Sequence, residues 1–280
     1  MPWRSYAVKE QIKIEKLYSL FKRHYEKGYN FAGEMHDFWE AVYVIDGEVI
    51  ISADENVHNF KSGDIIFHKP LELHKFSIVG DEGATLLIFS FSMSGELCKK
   101  AERRALHIDK HGRHIINSFI EFLEFEVEKH PEIENNYSFT DVLPHFADDE
   151  SFLQTVTLYI YRVLLSIATN ENALAKTKNH ETEIFKQALT LMNQRVAESL
   201  SVNELARQLN LSVSSLKRLF DKYAGMSVHK YFLTLKIKTA TLMLKEGMSV
   251  NEVSDCLGFS SQGYFSAAYK RETGINPSQI

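Results

Sequence analysis

Short apolar runs at regular spacing fill the first 94 residues of the chain. They cover residues 39–45, 48–52, 57–60, 65–68, 74–79 and 85–91, and turn residues such as Asp46-Gly47 and Ser62-Gly63-Asp64 separate them. Short strands bounded by turn signals are typical of an all-β sandwich or barrel. We therefore predict a β-barrel domain over residues 1–94, with a hairpin at Asp46-Gly47.

From residue 95 the apolar positions recur at three- and four-residue steps. This period predicts helices over residues 111–130 and 150–168. Both are more apolar than surface helices need to be, which is consistent either with packing against the β domain or with a dimerisation surface. We expect residues 95–179 to be a helical dimerisation and linker region that couples the domains, ending in the polar linker 169–180.

The last hundred residues contain an internal repeat. Ser201-Val202-Asn203-Glu204 recurs as Ser249-Val250-Asn251-Glu252, and each copy continues through a tight turn, at Asn210 or Gly258, into a second Ser-capped helix. This arrangement predicts an all-α domain over residues 180–280 with two helix-turn-helix units. A long helix over residues 228–245 would hold their second helices about one DNA turn, ~34 Å, apart.

The charge distribution supports this division. The 280 residues include 32 Lys and Arg against 37 Asp and Glu, a net charge of −5 that argues against a simple basic nucleic-acid binder. Residues 180–280, however, carry a net +3 and the remainder −8, while ten of the twelve histidines precede residue 180. Two halves of opposite charge indicate two domains with different partners.

Other sequence features favour a cytoplasmic protein. No apolar run approaches the roughly 18–20 residues that span a bilayer. Cys98 and Cys256 have no metal or redox spacing.

The outward face of the second helix in each repeat carries small polar and basic side chains. Short donors and amides can reach base edges, while cations contact phosphates. Solvated charges on two ordinary helical hairpins are the alternative, against which the tandem copy argues. The candidate DNA-binding residues are Ser214, Ser215, Lys217, Arg218, Lys222, Ser261, Gln262, Ser266, Lys270 and Arg271.

One stretch of the second repeat resembles a known signature. Gly258-Phe259-Ser260-Ser261-Gln262, Tyr264-Phe265-Ser266 and residues 269–278 resemble the AraC/XylS family of transcription regulators. The resemblance extends over residues 202–280 and implies two helix-turn-helix units that enter adjacent major grooves. Ala267 departs from a frequent long polar residue, so the second unit is expected to read fewer bases.

The β region resembles the cupin barrel that is common in these regulators. His36, Glu40 and Gly47 keep the spacing of the first cupin motif, and Gly63, Pro70 and His74 that of the second. Glu34 stands where metal cupins have a histidine, and Glu72 where the second motif has a glycine.

Strand alternation from residue 34 to residue 44 places Glu34, His36 and Glu40 on one face, where His74 could converge on them. Three interpretations remain open: a Zn²⁺, Mn²⁺ or Fe²⁺ site, a metal-free pocket for a polar ligand, or a satisfied polar cluster. No cofactor is required by the pattern. Weaker pocket candidates are Tyr25, His24 and His68, while packing or a pocket rim is expected of Trp39 and Tyr43.

The combined pattern predicts a ligand-responsive, sequence-specific transcription regulator that is not an enzyme. Its expected partners are double-stranded DNA, a sugar-like or other small polar effector, a second copy of the chain and RNA polymerase. The alternative is a metal-dependent cupin enzyme, of isomerase or dioxygenase type, with an appended helical domain. The altered ligand set weakens it, as does the lack of a Ser/His/Asp, Cys/His or phosphate-loop pattern.

Overall fold

A computed structural model describes residues 3–102, 105–130, 133, 141–168 and 172–280. The strands come first, and their bounds are β1 Lys13–Tyr25, β2 Trp39–Ala53, β3 Asn56–Lys61, β4 Asp64–His68, β5 His74–Ile78, β6 Ala84–Ser94 and β7 Ala105–His107. The helices are α1 Cys98–Ala101, α2 Lys110–Glu128, α3 Glu150–Ala168, α4 His180–Gln194, α5 Val202–Gln208, α6 Val213–Ala224, α7 Val228–Lys245, α8 Val250–Cys256 and α9 Gln262–Thr273. This order confirms the predicted class, an antiparallel β domain followed by helices that include two helix-turn-helix units.

The seven strands form two connected antiparallel layers. One layer has the order β1-β6-β2-β4-β7, and the second half of β2 pairs with β3 and β5 in the other. Alternation along β2 points Val42 and Val44 into the interior between the layers. Trp39 and Tyr43 point to the opposite side and pack under the helices, as expected of packing residues.

The predicted hairpin at Asp46-Gly47 is wrong, because β2 runs unbroken through these residues. A register shift between Val44 and Asp46 bends the strand, which passes from one layer to the other. Gly47 has φ of +83°, and a Cβ there would lie 2.3 Å from the carbonyl oxygen of Gly83. The glycine is therefore needed for a close approach between strands, and not for a reverse turn.

Helices α2 and α3 cover the outer face of the larger layer. Phe119 of α2 packs edge-on against Phe89 of β6, with ring centroids 5.9 Å apart, and Ile160 of α3 joins the same core. Both predicted helices are present and pack against the β domain. By length and composition α3 could cross a membrane, but six of its apolar side chains are buried in this core.

The chain between α3 and α4 lies along the β domain. The amide of Leu174 donates to the carbonyl of Ala105 at 2.8 Å, and that of Thr177 to the carbonyl of Val57 at 2.7 Å. Residues 169–171 of the predicted linker lie outside the described residues. The described part is hydrogen-bonded to two strands, so it is a fixed connection and not a free tether.

The C-terminal helices confirm the local signals of the repeat. Ser201, Ser212, Ser249 and Ser261 each cap the following helix, their side chains accepting a backbone N–H in its first turn. The turns place Asn210 at φ of +54° and Gly258 at φ of +63°. Helix α4, which the repeat did not predict, adds Phe185 and Met192, among others, to the core of the first unit.

Candidate ligand pocket and nucleic-acid interface

Four side chains converge at one end of the β domain: Glu34, His36, Glu40 and His74. One ligand atom from each lies within 4.8 Å of the others. The prediction that one strand carries Glu34, His36 and Glu40 is wrong, since β2 begins only at Trp39 and Glu34 and His36 precede it. An isolated antiparallel bridge brings Glu34 beside His74 instead, with two backbone hydrogen bonds of 3.0 Å between them.

Backbone carbonyls orient both imidazoles of this cluster. Nδ1 of His36 lies 2.9 Å from the carbonyl oxygen of Phe38, and Nδ1 of His74 lies 3.0 Å from that of Glu72. A carbonyl only accepts, so each Nδ1 carries the proton. Both Nε2 atoms therefore face the carboxylates, and neither has a hydrogen-bond partner among the described residues.

Neighbouring side chains hold the cluster in place. The Ser90 hydroxyl donates to Oε2 of Glu40 at 3.1 Å, which leaves Oε1 facing Nε2 of His74 at 3.2 Å. The ring of His74 stacks on that of His68 with centroids 4.2 Å apart, and Nδ1 of His68 lies 2.9 Å from the Glu72 carboxylate. Glu72, which departs from the cupin motif, therefore positions a supporting histidine.

The charges of the cluster depend on one another. Burial alone would raise the pKa of Glu40, but the imidazoles of His36 and His74 lower it well below its usual value. Burial alone would lower the pKa of His74, but the carboxylates of Glu34 and Glu40 raise it to about 10. At neutral pH the cluster therefore contains an imidazolium facing two carboxylates.

A cavity of about 300 Å³ adjoins this cluster. Its walls are mostly aromatic and apolar, and its polar end carries Glu34, His36, Glu40 and Ser90; the apolar wall residues are Phe21, Tyr25, Phe31, Phe38, Phe76 and Ile88. Burial raises the pKa of Tyr25 to about 12, so its hydroxyl keeps the proton and can donate. An apolar cavity with a few convergent polar groups is the usual form of a small-molecule site.

Of the weaker candidates, only Tyr25 lines the cavity. His24 does not line it, and its Nδ1 lies 3.1 Å from the Thr85 hydroxyl. Glu40 and His74 are almost fully buried, whereas the Glu34 side chain is 46% exposed, so solvent reaches the cluster at Glu34.

Residues 30–36 connect this cavity to the helix-turn-helix region, and we call them the connecting segment. Phe31 packs into the interior of the β domain, and Met35 packs against the core of the first helix-turn-helix unit. Between them, the carbonyl of Ala32 approaches Gly225 so closely that a Cβ there would lie 2.4 Å from its oxygen. One side of this short segment therefore faces the cavity, and the other faces the end of α6.

Two lysines complete the contact between the β domain and the helices. Nζ of Lys75, on β5, donates to the carbonyl of Asp221 near the end of α6 at 2.7 Å. Nζ of Lys238, on α7, lies 2.9 Å from Oδ2 of Asp54, which follows β2. We call these contacts, together with the connecting segment, the domain interface.

The candidate DNA-binding residues of the first unit lie along α6. Leu216 and Phe220 are buried, while Ser214, Lys217 and Arg218 are exposed and Ser215 is half-buried. Lys222 forms an ion pair with Glu181 of α4, so its ammonium group contacts another helix of the same unit. The exposed positions form one outward face, as groove contacts require.

Helix α9 presents a comparable face. Gln262, Lys270 and Arg271 are exposed, and Ser266 is half-buried. The Ser261 hydroxyl accepts the amide of Tyr264, so its first role is as a helix cap. Lys236 of α7 is buried and donates to the carbonyl of Leu257 at 2.6 Å, which joins α7 to the turn of the second unit.

Two models of known protein families match parts of the chain. A model described as an AraC-like ligand binding domain matches residues 18–124, and one described as a helix-turn-helix domain matches residues 205–280. The chain belongs to the AraC family of transcription regulators. It is thus a ligand-responsive, DNA-binding regulator in general type.

Two AraC-family relatives align over most of the chain. The HTH-type transcriptional activator RhaR of Mannheimia succiniciproducens is 22% identical over 98% of this chain and 94% of its own length. The Msm operon regulatory protein of Streptococcus mutans is 24% identical over 91% of this chain and 88% of its own.

Further proteins are similar over part of the chain or in structure. The regulator GbdR of Pseudomonas aeruginosa is 37% identical over 33% of this chain and 25% of its own. Among solved structures, ToxT of Vibrio cholerae is 13% identical, covers 97% of both chains and has a TM-score of 0.38.

Proposed function

We propose that this AraC-family protein is a cytoplasmic, sequence-specific regulator whose effector is a small polar metabolite of the sugar or polyol type. The observation that carries this proposal is the cavity itself, whose aromatic walls lead to Glu34, His36 and Glu40. Aromatic faces pack against the C–H faces of a sugar ring, while carboxylates and imidazoles bond its hydroxyls.

The connecting segment supports a direct route from effector to DNA. Phe31, Glu34 and His36 line the cavity, while Ala32 and Met35 contact the first helix-turn-helix unit. A ligand that moves the cavity side of this segment also moves the side that contacts α6. Such a ligand must bind one arrangement of the domain interface better than another, since equal affinities would shift nothing. This route replaces the coupling through residues 111–130 and 150–168 that the sequence suggested.

For DNA, we propose that Ser214, Lys217 and Arg218 of α6 and Gln262 of α9 face the major groove. The remaining candidates contact phosphate or support these helices: Ser215, Lys222, Ser261, Ser266, Lys270 and Arg271. The net +3 of residues 180–280 is modest, so affinity should come from several helices engaged at once.

We propose further that two copies pair through the helices of the β domain. Phe125 of α2 and Leu158 and Leu165 of α3 are each roughly half exposed, and pairing of two copies would bury these apolar side chains. Sedimentation velocity tests this: Leu158→Glu should shift a dimer toward monomer. RNA polymerase is the partner expected of an activator, and no catalytic turnover is proposed.

A thermal-shift screen of sugars and polyols on the full chain tests the effector proposal. At 100 times Kd a ligand stabilises by about 2.7 kcal/mol, which raises Tm by roughly 5–10 °C in a chain of this size. The shift should fall in Glu34→Gln and persist in Glu48→Gln, an exposed glutamate on β2. The same compound should change operator affinity.

Equal stabilisation of wild type and Glu34→Gln by a hit would place the pocket elsewhere. A hit that leaves DNA affinity unchanged would contradict the proposed coupling.

A further inference from the structure

We propose that Glu34, His36, Glu40 and His74 form a binding site for one divalent transition-metal ion at the polar end of the cavity. The proposal builds on the proposed function only in placing the ion beside the effector. The four side chains offer two imidazole nitrogens and two carboxylate oxygens. This mixed donor set suits Zn²⁺, Mn²⁺ or Fe²⁺ better than Mg²⁺ or Ca²⁺, which prefer oxygen alone.

The orientation of the two histidines is the strongest support. In each ring Nδ1 donates to a backbone carbonyl, that of Phe38 or Glu72. Metal-binding histidines are commonly held this way, because the bond on one nitrogen directs the lone pair of the other at the ion.

The free nitrogens provide an independent second observation. His74 is only 3% exposed, yet its Nε2 has no hydrogen-bond partner among the described residues, and neither has Nε2 of His36. Glu40 Oε1 is 3.2 Å from the first of these atoms, at ion-pair distance but without hydrogen-bond alignment. Buried polar atoms without partners are rare, and an ion would satisfy both.

The spacing also fits an ion. Metal–ligand bonds of about 2.1 Å place ligand atoms roughly 3.4 Å apart in a tetrahedron and roughly 4.2 Å apart across an octahedron. The four ligand atoms here lie within 4.8 Å of one another, so small side-chain rotations would bring them to the distances that a coordination sphere requires. Glu34 sits on the solvent side and gives the ion an entry path.

Charge and support are consistent with this assignment. A divalent cation that displaces the Nε2 proton of His74 would be balanced by the two carboxylates and coordinated by two neutral imidazoles. The Ser90 hydroxyl already donates to Oε2 of Glu40. Stacking of His68 on His74 fixes the ring from behind. A bound ion could take an effector hydroxyl as a further ligand, so the favoured effector class is one with adjacent hydroxyls.

The test uses the full chain, stripped with a chelator and titrated with Zn²⁺, Mn²⁺ or Mg²⁺ alone by calorimetry and elemental analysis. We expect one equivalent of Zn²⁺ or Mn²⁺ per chain and much weaker binding of Mg²⁺. Glu34→Gln and His36→Gln should each weaken binding at least tenfold. The matched controls are Glu48→Gln and His114→Gln, exposed on β2 and α2, which should leave it unchanged.

Folding of each variant is checked by its melting temperature, and Co²⁺ absorption gives a second readout of the ligand sphere. Failure to bind one equivalent, or equal loss in cluster and control variants, would overturn the metal site. If the ion is absent but an effector still alters DNA affinity, only the metal site fails. If the ion binds at the cluster and no effector acts, the metal site stands and the effector proposal fails.

Discussion

The two helix-turn-helix units share a sequence pattern but have different surroundings. The core of the first unit extends into α4 and into the β domain, where Val57 and Leu73 belong to the same apolar cluster. The core of the second unit draws on α7, α8 and α9 with a few flanking residues. The β domain can therefore act on the first unit directly and reach the second through α7. Similar sequence patterns in the two units therefore need not mean similar roles.

The largest expected difference between the units is at two equivalent glycines. Gly225 and Gly274 both end the second helix of their unit with positive φ, but a Cβ meets the Ala32 carbonyl only at Gly225, and open space at Gly274. Gly274→Ala should cost about 1 kcal/mol, the penalty for an L-residue in this conformation. Gly225→Ala should cost about 3 kcal/mol, because the clash adds to that penalty.

Chemical denaturation of both variants measures the gap. Similar losses for the two would mean that the connecting segment yields easily, and that the two units are less different than their surroundings suggest. In the expected case, Gly225→Ala should also weaken the response of DNA affinity to effector, which Gly274→Ala should preserve.

The next effect concerns base recognition. Arg218→Ala in α6 and Gln262→Ala in α9 should each reduce discrimination between operator and scrambled DNA by roughly 1–3 kcal/mol. Because the first unit contacts the β domain, effector should change the Arg218 contribution more than that of Gln262. Competition binding with and without effector measures both. Uniform weakening on every sequence would reassign the residue to a phosphate contact.

The smallest expected effect is at the ion pair of the domain interface. Asp54→Asn removes the charge that faces Lys238 but can still accept the amide of Leu73. The loss should be about 1 kcal/mol of stability, since both side chains are largely buried. Asp81→Asn, which breaks the exposed pair with Lys27, is the control and should change nothing measurable. Unchanged stability in Asp54→Asn would mean that this ion pair does not stabilise the contact between α7 and the β domain.

The features that sequence predicts well here are local ones. The capping serines and the positive φ at Asn210 and Gly258 are required by neighbouring residues, so the amino-acid pattern alone is enough to locate the two units. The hairpin expected at Gly47 is wrong because a residue distant in sequence requires the glycine. The carbonyl of Gly83 comes so close to Gly47 that there is no room for a side chain. The same limit applies to the pocket: spacing identifies Glu34 and His74, but only the strand pairing shows how they meet.

The connecting segment has a thermodynamic consequence. Ala32 contacts the first helix-turn-helix unit, while Glu34 and His36 lie in the cavity. Under the proposed coupling, effector bound in the cavity would change the free energy of operator binding. Linkage makes this coupling reciprocal: if effector alters operator affinity tenfold, operator must alter effector affinity by the same factor. The sensitivity of the protein to its metabolite would then depend on how much of it is bound to DNA.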